Sequence, residues 1–367
     1  MKVIRLLSRI IVGLVFIFSG TVKAIDPLGS AYKFHDYFQA FNLSFLSSLC
    51  LPLAVLLCTT EFIAGFSVLT GIKLRTGLVI VLVLMLIFTP LTFVLALTNP
   101  VSDCGCFGDA VHLTNWQTFG KNVILLAAVI VIFIGIKQAK QRYNKSGGWV
   151  IITSAGIIFI LFAMYNLRYL PVIDFLPYKT GVKIADKMAV PPDAPADIYE
   201  TTFVYEKDGI KKEFSLKDYP ANDTSWKFLE QKSVLIKKGF KPAIHDFSIT
   251  APDGEDLTQK VLSNQGYTLL MISRKLKEAG SRNIEAGFEL GRYCIGNGID
   301  FLILTSSGSE ETKRYNNGLN FCSSDETTLK TMIRANPGYI LLKDGTILGK
   351  WSSADCPDRE WFGKIVK

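Results

Sequence analysis

The chain has 367 residues, 49% of them hydrophobic and 20% charged, with a formal net charge of +8. Soluble domains have a similar apolar share but about 25% charge, and this composition excludes collagen-like, fibrous and disordered chains. The charge is unevenly spread: residues 1–170 hold 13 Lys and Arg against 5 Asp and Glu, whereas the remainder holds 27 of each sign. Basic charge confined to short links between apolar runs points to a membrane and away from nucleic acid.

Five runs reach the roughly 20 apolar residues that cross a bilayer: Val3–Lys23, Phe45–Leu69, Leu74–Leu97, Phe119–Ile136 and Trp149–Leu167. Backbone groups in lipid must be paired internally, so these runs are expected as helices. Their continuous apolarity argues against a barrel. Lys2, Arg5 and Arg9 open the first run, Lys73 and Arg75 separate the second from the third, and Lys137, Lys140, Arg142 and Lys145 separate the fourth from the fifth. The other links carry fewer cations, namely Lys23, Lys33 and Lys121. The positive-inside rule then predicts an inner-membrane protein with a cytoplasmic N-terminus and a periplasmic Arg168–Lys367. A rival reading takes Lys2–Arg9, Ile10–Phe18 and Val22-Lys23-Ala24 as a cleaved signal peptide, which leaves four spans.

The chain is thus expected to divide into a transmembrane core over 1–140, a cytoplasmic loop and fifth helix over 141–170, an extracytoplasmic linker with a β-hairpin over 171–239, and an α/β domain over 240–367. Asp174-Phe-Leu-Pro-Tyr178 reads as an interfacial anchor. Ile198–Leu216 reads as two strands around Lys207-Asp208-Gly209, followed by a short helix at Ser225–Glu230. Beyond Phe240, strands are predicted at Tyr267–Ser273, Phe301–Thr305, Leu319–Cys322, Tyr339–Leu342 and Thr346–Trp351. Helices are predicted at Asn283–Cys294 and Glu326–Arg334. That alternation predicts an α/β sheet.

His245-Asp-Phe-Ser-Ile-Thr-Ala-Pro-Asp-Gly254 and Asn336-Pro-Gly-Tyr-Ile-Leu-Leu-Lys-Asp-Gly345, with a buried strand between them, resemble a thioredoxin-like domain of the TlpA/AhpC type. The resemblance implies that Pro337 is the cis-proline at the active-site edge, with Cys322 on the same edge or, in a plainer reading, a small core residue. Where an active thioredoxin carries Cys-x-x-Cys, this chain reads Ser273-Arg-Lys-Leu-Lys-Glu-Ala-Gly280. Without thiols that edge cannot exchange disulfides, which leaves binding as its expected role.

The informative cysteines lie instead between the third and fourth runs, in Asp103-Cys-Gly-Cys-Phe-Gly-Asp109. A Cys-x-Cys pair closes only a small ring, and strained disulfides tend to be labile. Redox cycling of Cys104 and Cys106, a passive clip, and a metal site completed by His112 and His35 are all open on the residues alone. No cation sits in the loop to lower a thiol, while Asp103 and Asp109 would raise one.

Arg9-Ile-Ile-Val-Gly-Leu-Val-Phe-Ile-Phe-Ser-Gly20, Lys23, Asp26-Pro27 and Glu61-Phe-Ile-Ala-Gly65 together resemble DoxX-type membrane proteins. The Cys-Gly-Cys-Phe-Gly loop narrows the resemblance to the MauE-like branch. It implies a four-helix membrane core, and MauE proteins are associated with maturation of a disulfide-rich periplasmic dehydrogenase subunit. A core of this kind with a fifth span and a thioredoxin-like domain resembles proteins of Bacteroidetes-type bacteria.

Glu61 sits within the second span, where a carboxylate is expensive and must be paired or face the bundle interior. Cys50, Cys58 and Glu61 fall on one helix face. Glu61 is therefore a candidate intramembrane proton relay or a helix-packing residue. Lys23 and Asp26 are expected to snorkel at the headgroups. Two functions stand at this stage. One is an envelope thiol–disulfide component that exchanges with a cysteine-bearing partner and with a membrane electron carrier, without a bound cofactor. The other is a non-enzymatic assembly protein that holds a partner through its degenerate thioredoxin-like edge.

Overall fold

The computed structural model describes every residue except Met1, Ser102, 136–144, 221–222, 238, 316–317 and 366–367. The basic residues Lys137, Lys140 and Arg142 and the end of the fourth run at Ile136 lie outside the described residues.

Five helices are long and apolar enough to cross a membrane. They are α1 (Lys2–Ile25), α3 (Cys50–Thr70, preceded by a 3-10 turn at Ser44–Leu49), α4 (Leu74–Thr98), α5 (Asn115–Ile134) and α6 (Lys145–Arg168). Between α1 and α3 the expected loop is instead a helix, α2 (Pro27–Ala40). Its start has a local cause: Asp26 accepts the Gly29 N–H, and Pro27 occupies the first turn, where its missing N–H costs nothing. Helices α1 and α3 pack closely because they are notched. A Cβ on Gly65 would stand 2.7 Å from the Ile17 nitrogen and 2.8 Å from the Gly13 oxygen. Thr114 and Gln117 form a capping box that opens α5 just after the cysteine loop.

After α7 (Ile184–Met188), strands β1 (Ile198–Lys207), β2 (Ile210–Ser215) and β3 (Lys227–Lys237) form an antiparallel sheet in the order β2-β1-β3. The hairpin is where the sequence suggested, with Asp208 and Gly209 both at positive φ. The short helix expected at Ser225–Glu230 is overturned: the chain there enters β3, which supplies the second hydrogen-bonding partner that β1 needs.

The remaining chain runs through α8 (Thr258–Leu262), β4 (Tyr267–Ile272), α9 (Ser281–Gly296), β5 (Asp300–Thr305), α10 (Ser309–Thr312), β6 (Phe321–Ser323), α11 (Glu326–Met332), β7 (Gly338–Lys343), β8 (Thr346–Ser352) and α12 (Arg359–Ile365). The sheet order is β6-β5-β4-β7-β8, with β4, β5 and β6 parallel and β7 and β8 antiparallel. The Asn336–Pro337 bond that leads into β7 is cis. This is a thioredoxin-like α/β domain. Alternate residues of β4 serve two cores: Leu269 and Met271 pack under α9 with Phe288, while Leu270 and Ile272 pack with Ile249 and Leu329.

Two expectations about this half need correction. Tyr178 is buried in the α/β core against Phe247, and Asp174 pairs with Lys350 at 2.6 Å, so the segment anchors to the domain and not to a membrane interface. Cys322 is 1% exposed within the same core. It is a packing residue of β6, since its side chain alternates inward beside Leu304.

Candidate functional site

The segment Asp103–Asp109 folds over one end of the helical bundle, and its backbone is held on several sides. Gly105 and Gly108 take positive φ, the first beneath the Lys33 side chain, where a Cβ would come within 2.9 Å. Asp103 accepts the Gly105 N–H at 2.7 Å and pairs with Lys33 at 3.0 Å. The Tyr37 hydroxyl donates to the Cys104 carbonyl at 2.5 Å. Helix α2, which the sequence did not reveal, supplies both Lys33 and Tyr37.

These constraints bring the Cys104 and Cys106 sulfurs to 3.0 Å as two half-buried thiols. The two are unequal. A hydrogen bond from Cys104 lowers the Cys106 thiol, burial opposes this, and Lys121 and Lys23 help, leaving it near 6. Cys104 is raised by that same donation and by burial. The missing cation of the sequence reading is therefore present, but it comes from α5 and α1 and not from the loop. Lys121 Nζ lies 4.5 Å from the centre of the Phe107 ring, which fixes it beside the pair.

Beneath the loop lies the intramembrane acid. Glu61 is 2% exposed, and both its oxygens accept from Lys23 Nζ at 2.8 Å. Lys23 itself is 6% exposed, so it does not snorkel: the carboxylate across the α1–α3 seam holds it inward. The Ser19 hydroxyl accepts from Lys23 at 2.8 Å and stands 2.9 Å from both Glu61 Oε2 and the Cys106 carbonyl oxygen, with one proton to donate. A hydrogen-bonded path thus links Glu61 to the loop, ending on a carbonyl and not on sulfur. Cys58 and Cys50 are not on this path. Cys58 bonds the Val55 carbonyl and packs with Ala24 and Phe159, and Cys50 packs with Ala31 and Ala54.

Cys104, Cys106, Lys23, Glu61 and Lys121 all line one cavity of about 110 Å³ between α1, α2, α3, α4 and α5. Its other walls are mostly apolar, from residues such as Phe16, Met85, Phe88 and Leu125. Among the described residues no group of three or more His, Cys, Asp or Glu is gathered for a metal. His112 is largely exposed, 3.9 Å from Asp103.

The thioredoxin-like edge meets this same end of the bundle. Arg334, three residues before the cis-proline, bonds Asp26 at 2.8 Å and Asp109 at 2.6 Å. Asp26 is consequently buried and does not snorkel. Arg274, in the stretch that replaces Cys-x-x-Cys, bonds the Tyr32 hydroxyl, and the Tyr32 ring faces Arg274, Lys330 and Arg334. Ser273 bonds Asn336 at 3.1 Å across the edge. The edge around Pro337 is therefore turned onto α2 and the cysteine loop. Sequence reading missed Ser19, Lys33, Tyr37, Lys121 and Arg334. Only Arg334, close before the proline, carried any local signal.

Residues 1–135 match the sequence profile of the family described as methylamine utilisation protein MauE. They form a MauE-like membrane domain. Residues 199–238, which hold the three-stranded sheet, match a domain of unknown function (DUF8463). No curated protein sequence matches the chain. Among solved structures, a candidate protein disulfide isomerase from Bacteroides thetaiotaomicron is similar at 16% identity and a TM-score of 0.26, over 33% of this chain and 81% of that one. A secreted Mycobacterium tuberculosis disulfide oxidoreductase is similar at 14% identity and a TM-score of 0.26, over 33% of this chain and 94% of that one.

Proposed function

We propose that this membrane protein is a thiol–disulfide component of the cell envelope, with Cys104 and Cys106 as its redox pair at the extracytoplasmic face. The pair cycles between dithiol and disulfide. It exchanges with cysteines of an envelope protein during that protein's maturation, and it passes electrons to or from a carrier in the bilayer. One observation carries this reading: two thiols 3.0 Å apart, one of them lowered by its neighbour and by lysines, on the wall of a cavity inside the bundle. The thiolate is the nucleophile in exchange, so Cys106 is the attacking residue and Cys104 the resolving one. Glu61, with Ser19 and Lys23, is placed to exchange protons with the cavity as the pair changes state. The orientation, with the N-terminus cytoplasmic and the thioredoxin-like domain periplasmic, is supported by Arg5, Arg9, Lys73 and Arg75 at the opposite end of the helices.

The assembly reading draws less support, because the edge it needs for a partner is engaged by Asp26, Tyr32 and Asp109 of the same chain. The test is labelling of intact cells with a membrane-impermeant maleimide, with and without prior reduction. Labelling of Cys104 and Cys106 only after reduction, with a mixed disulfide trapped by Cys104→Ser, is the expected result. Free thiols in every condition and no trapped partner would overturn it. Labelling only in lysed cells would invert the topology.

A further inference from the structure

Away from the cysteine loop, a second cavity lies where the chain leaves α6 and joins the α/β domain. Its volume is about 350 Å³. Small-molecule pockets run from roughly 300 to 1,000 Å³, so the space admits a group of several heavy atoms together with water. Its charged lining is three cations, Lys179, Arg334 and Lys350, against one carboxylate, Asp174. Asp26 and Asp109, which pair with Arg334, do not line it. The cations keep donors to spare, since an ammonium has three N–H groups and a guanidinium five. Lys350 Nζ uses two, on Asp174 at 2.6 Å and on the Tyr178 carbonyl at 2.9 Å. Arg334 uses three: Nε on Asp26, Nη2 on Asp109 and Nη1 on the Lys330 carbonyl. Lys179 and Thr180 are exposed, and neither side chain makes a hydrogen bond or ion pair among the described residues. Asp174 is already occupied, one oxygen by Lys350 and the other by the Leu176 N–H at 3.0 Å. Burial pushes the Lys350 ammonium down and Arg334 adds to that push, so a further anion beside it is favoured.

The place of the cavity matters as much as its charge. Helix α6 is long and apolar enough to span a bilayer and ends at Arg168. Tyr165 and Tyr169, with ring centres 4.8 Å apart, stand in its last turns, where aromatic residues mark a membrane–water boundary. Leu170 and Pro171 follow directly and line the cavity. Val172 and Ile173 come next and are both exposed, just before the segment that anchors to the domain. The headgroup layer is about 5–8 Å thick on each side of the hydrocarbon. A cavity that begins two residues beyond the span lies at that depth.

We infer that this cavity holds a phosphate group, that of a phospholipid in the leaflet at this end of α6, with Lys179, Arg334 and Lys350 as its donors. A phosphate offers acceptor oxygens and negative charge to a lining that has spare N–H groups and an excess of cations. Basic pockets at the ends of membrane helices take lipid headgroups for this reason. The acyl chains leave past Leu170 and Pro171 toward the hydrocarbon, where the exposed Val172 and Ile173 also find apolar surroundings. Lys179 lies on the link, while Arg334 and Lys350 belong to the α/β domain. The bound lipid therefore seats that domain on the membrane surface. This inference is independent of the redox reading.

The test uses the full-length protein, stripped of lipid in a neutral maltoside detergent. It is titrated with dioleoyl phosphatidylglycerol, with dioleoylglycerol, which lacks the phosphate, and with inorganic phosphate. Native mass spectrometry identifies what is bound by its mass, and the thermal unfolding midpoint is followed in parallel. The expected result is retention of phosphatidylglycerol with a raised midpoint, and neither effect with dioleoylglycerol. Lys179→Glu, at an exposed side chain and checked for folding by size-exclusion chromatography, weakens retention at least about fivefold, the effect of one lysine at a lipid surface. Its new carboxylate also repels a phosphate held by Arg334 and Lys350 alone. Lys211→Glu, the same change on the exposed strand β2, leaves retention unaltered. Inorganic phosphate bound as tightly as the lipid, and lost in Lys179→Glu, would keep the phosphate site and overturn the lipid as its source. Dioleoylglycerol retained as well as phosphatidylglycerol, or phosphatidylglycerol retained equally by Lys179→Glu and the parent, would overturn the site, because the acyl chains alone would then account for binding.

Discussion

At the scale of residues, the proposed redox role rests on inequality between two chemically identical side chains. A cysteine thiol ordinarily titrates near 8.5, yet Cys106 is held near 6 by donation from Cys104, against burial, and with help from Lys121 and Lys23. Lysine beside a thiol favours the charged form, as a carboxylate would disfavour it. The sign is that of an acid whose folded value is depressed: the pair gives up its first proton below the usual thiol range, and the anion is lost as the pH falls. Thiolate absorbance, taken as the difference between the parent and Cys106→Ser, is expected to rise with a midpoint below that of a free thiol. In Lys121→Met the midpoint moves upward, since one of the two lysines that support the anion is gone and burial remains. A midpoint unmoved by Lys121→Met would show that the lysine does not act on the pair. None of this inequality was legible in the loop itself, whose own charged residues are two aspartates. Those aspartates are occupied elsewhere, Asp103 by Lys33 and Asp109 by Arg334.

At the scale of elements, the bundle depends on how closely α1 and α3 approach, because that seam holds Ser19, Lys23 and Glu61 together. Gly65 faces α1 backbone, whereas Gly120 on α5 has nothing within 4 Å of where its Cβ would stand. Gly65→Ala is therefore expected to cost ~1–3 kcal/mol through overpacking. Gly120→Ala, free of that clash, is expected to be neutral or to stabilise by roughly 0.5–1 kcal/mol, the usual helix-interior difference. Thermal unfolding in detergent compares them, and equal shifts would mean that the seam yields easily. The five long helices and the strands of the thioredoxin-like sheet were legible because hydropathy and alternation are local signals, and their ends agree with the sequence to within a few residues. Helix α2 was missed although Asp26-Pro27 is a recognisable cap and first turn and Ala31, Phe34 and Phe38 form a short apolar stripe, because Lys33, His35, Asp36 and Gln39 make the segment polar between two long apolar runs. Strand β3 was missed because its pairing with β1 is a tertiary fact, and the polar stretch before it looked like a turn of helix. The snorkelling assigned to Lys23 and Asp26 failed for the same reason: each has its partner on a distant element, Glu61 on α3 and Arg334 just beyond α11.

At the scale of the whole molecule, the α/β domain carries no cysteine in Ser273–Gly280, and the edge around Pro337 is seated on α2 and the loop that holds Cys104 and Cys106. Arg334 joins the two parts through Asp26, 308 residues away in sequence, and Asp109, 225 residues away. Its side chain is 5% exposed and that of Asp26 is 7%, so salt screens this contact far less than a surface pair. Removing one member of a buried ion pair leaves the other uncompensated and costs about 3–5 kcal/mol. Arg334→Gln is therefore expected to release the edge, exposing Asp109 and the loop it terminates. Maleimide would then modify reduced Cys104 and Cys106 faster, by roughly tenfold or more, since each 1.4 kcal/mol is a factor of ten in an equilibrium constant. Asp109→Asn, at the more exposed of the two contacts, gives a smaller increase. Raising the salt concentration on the parent protein should not reproduce the Arg334→Gln rate, because the pair lies inside the contact. If labelling of a folded Arg334→Gln variant matches the parent, the domain does not guard the cysteines, and a partner protein reaches them without displacing it. If it rises as expected, the Arg334 contact with Asp26 and Asp109 restricts access to the loop that holds Cys104 and Cys106.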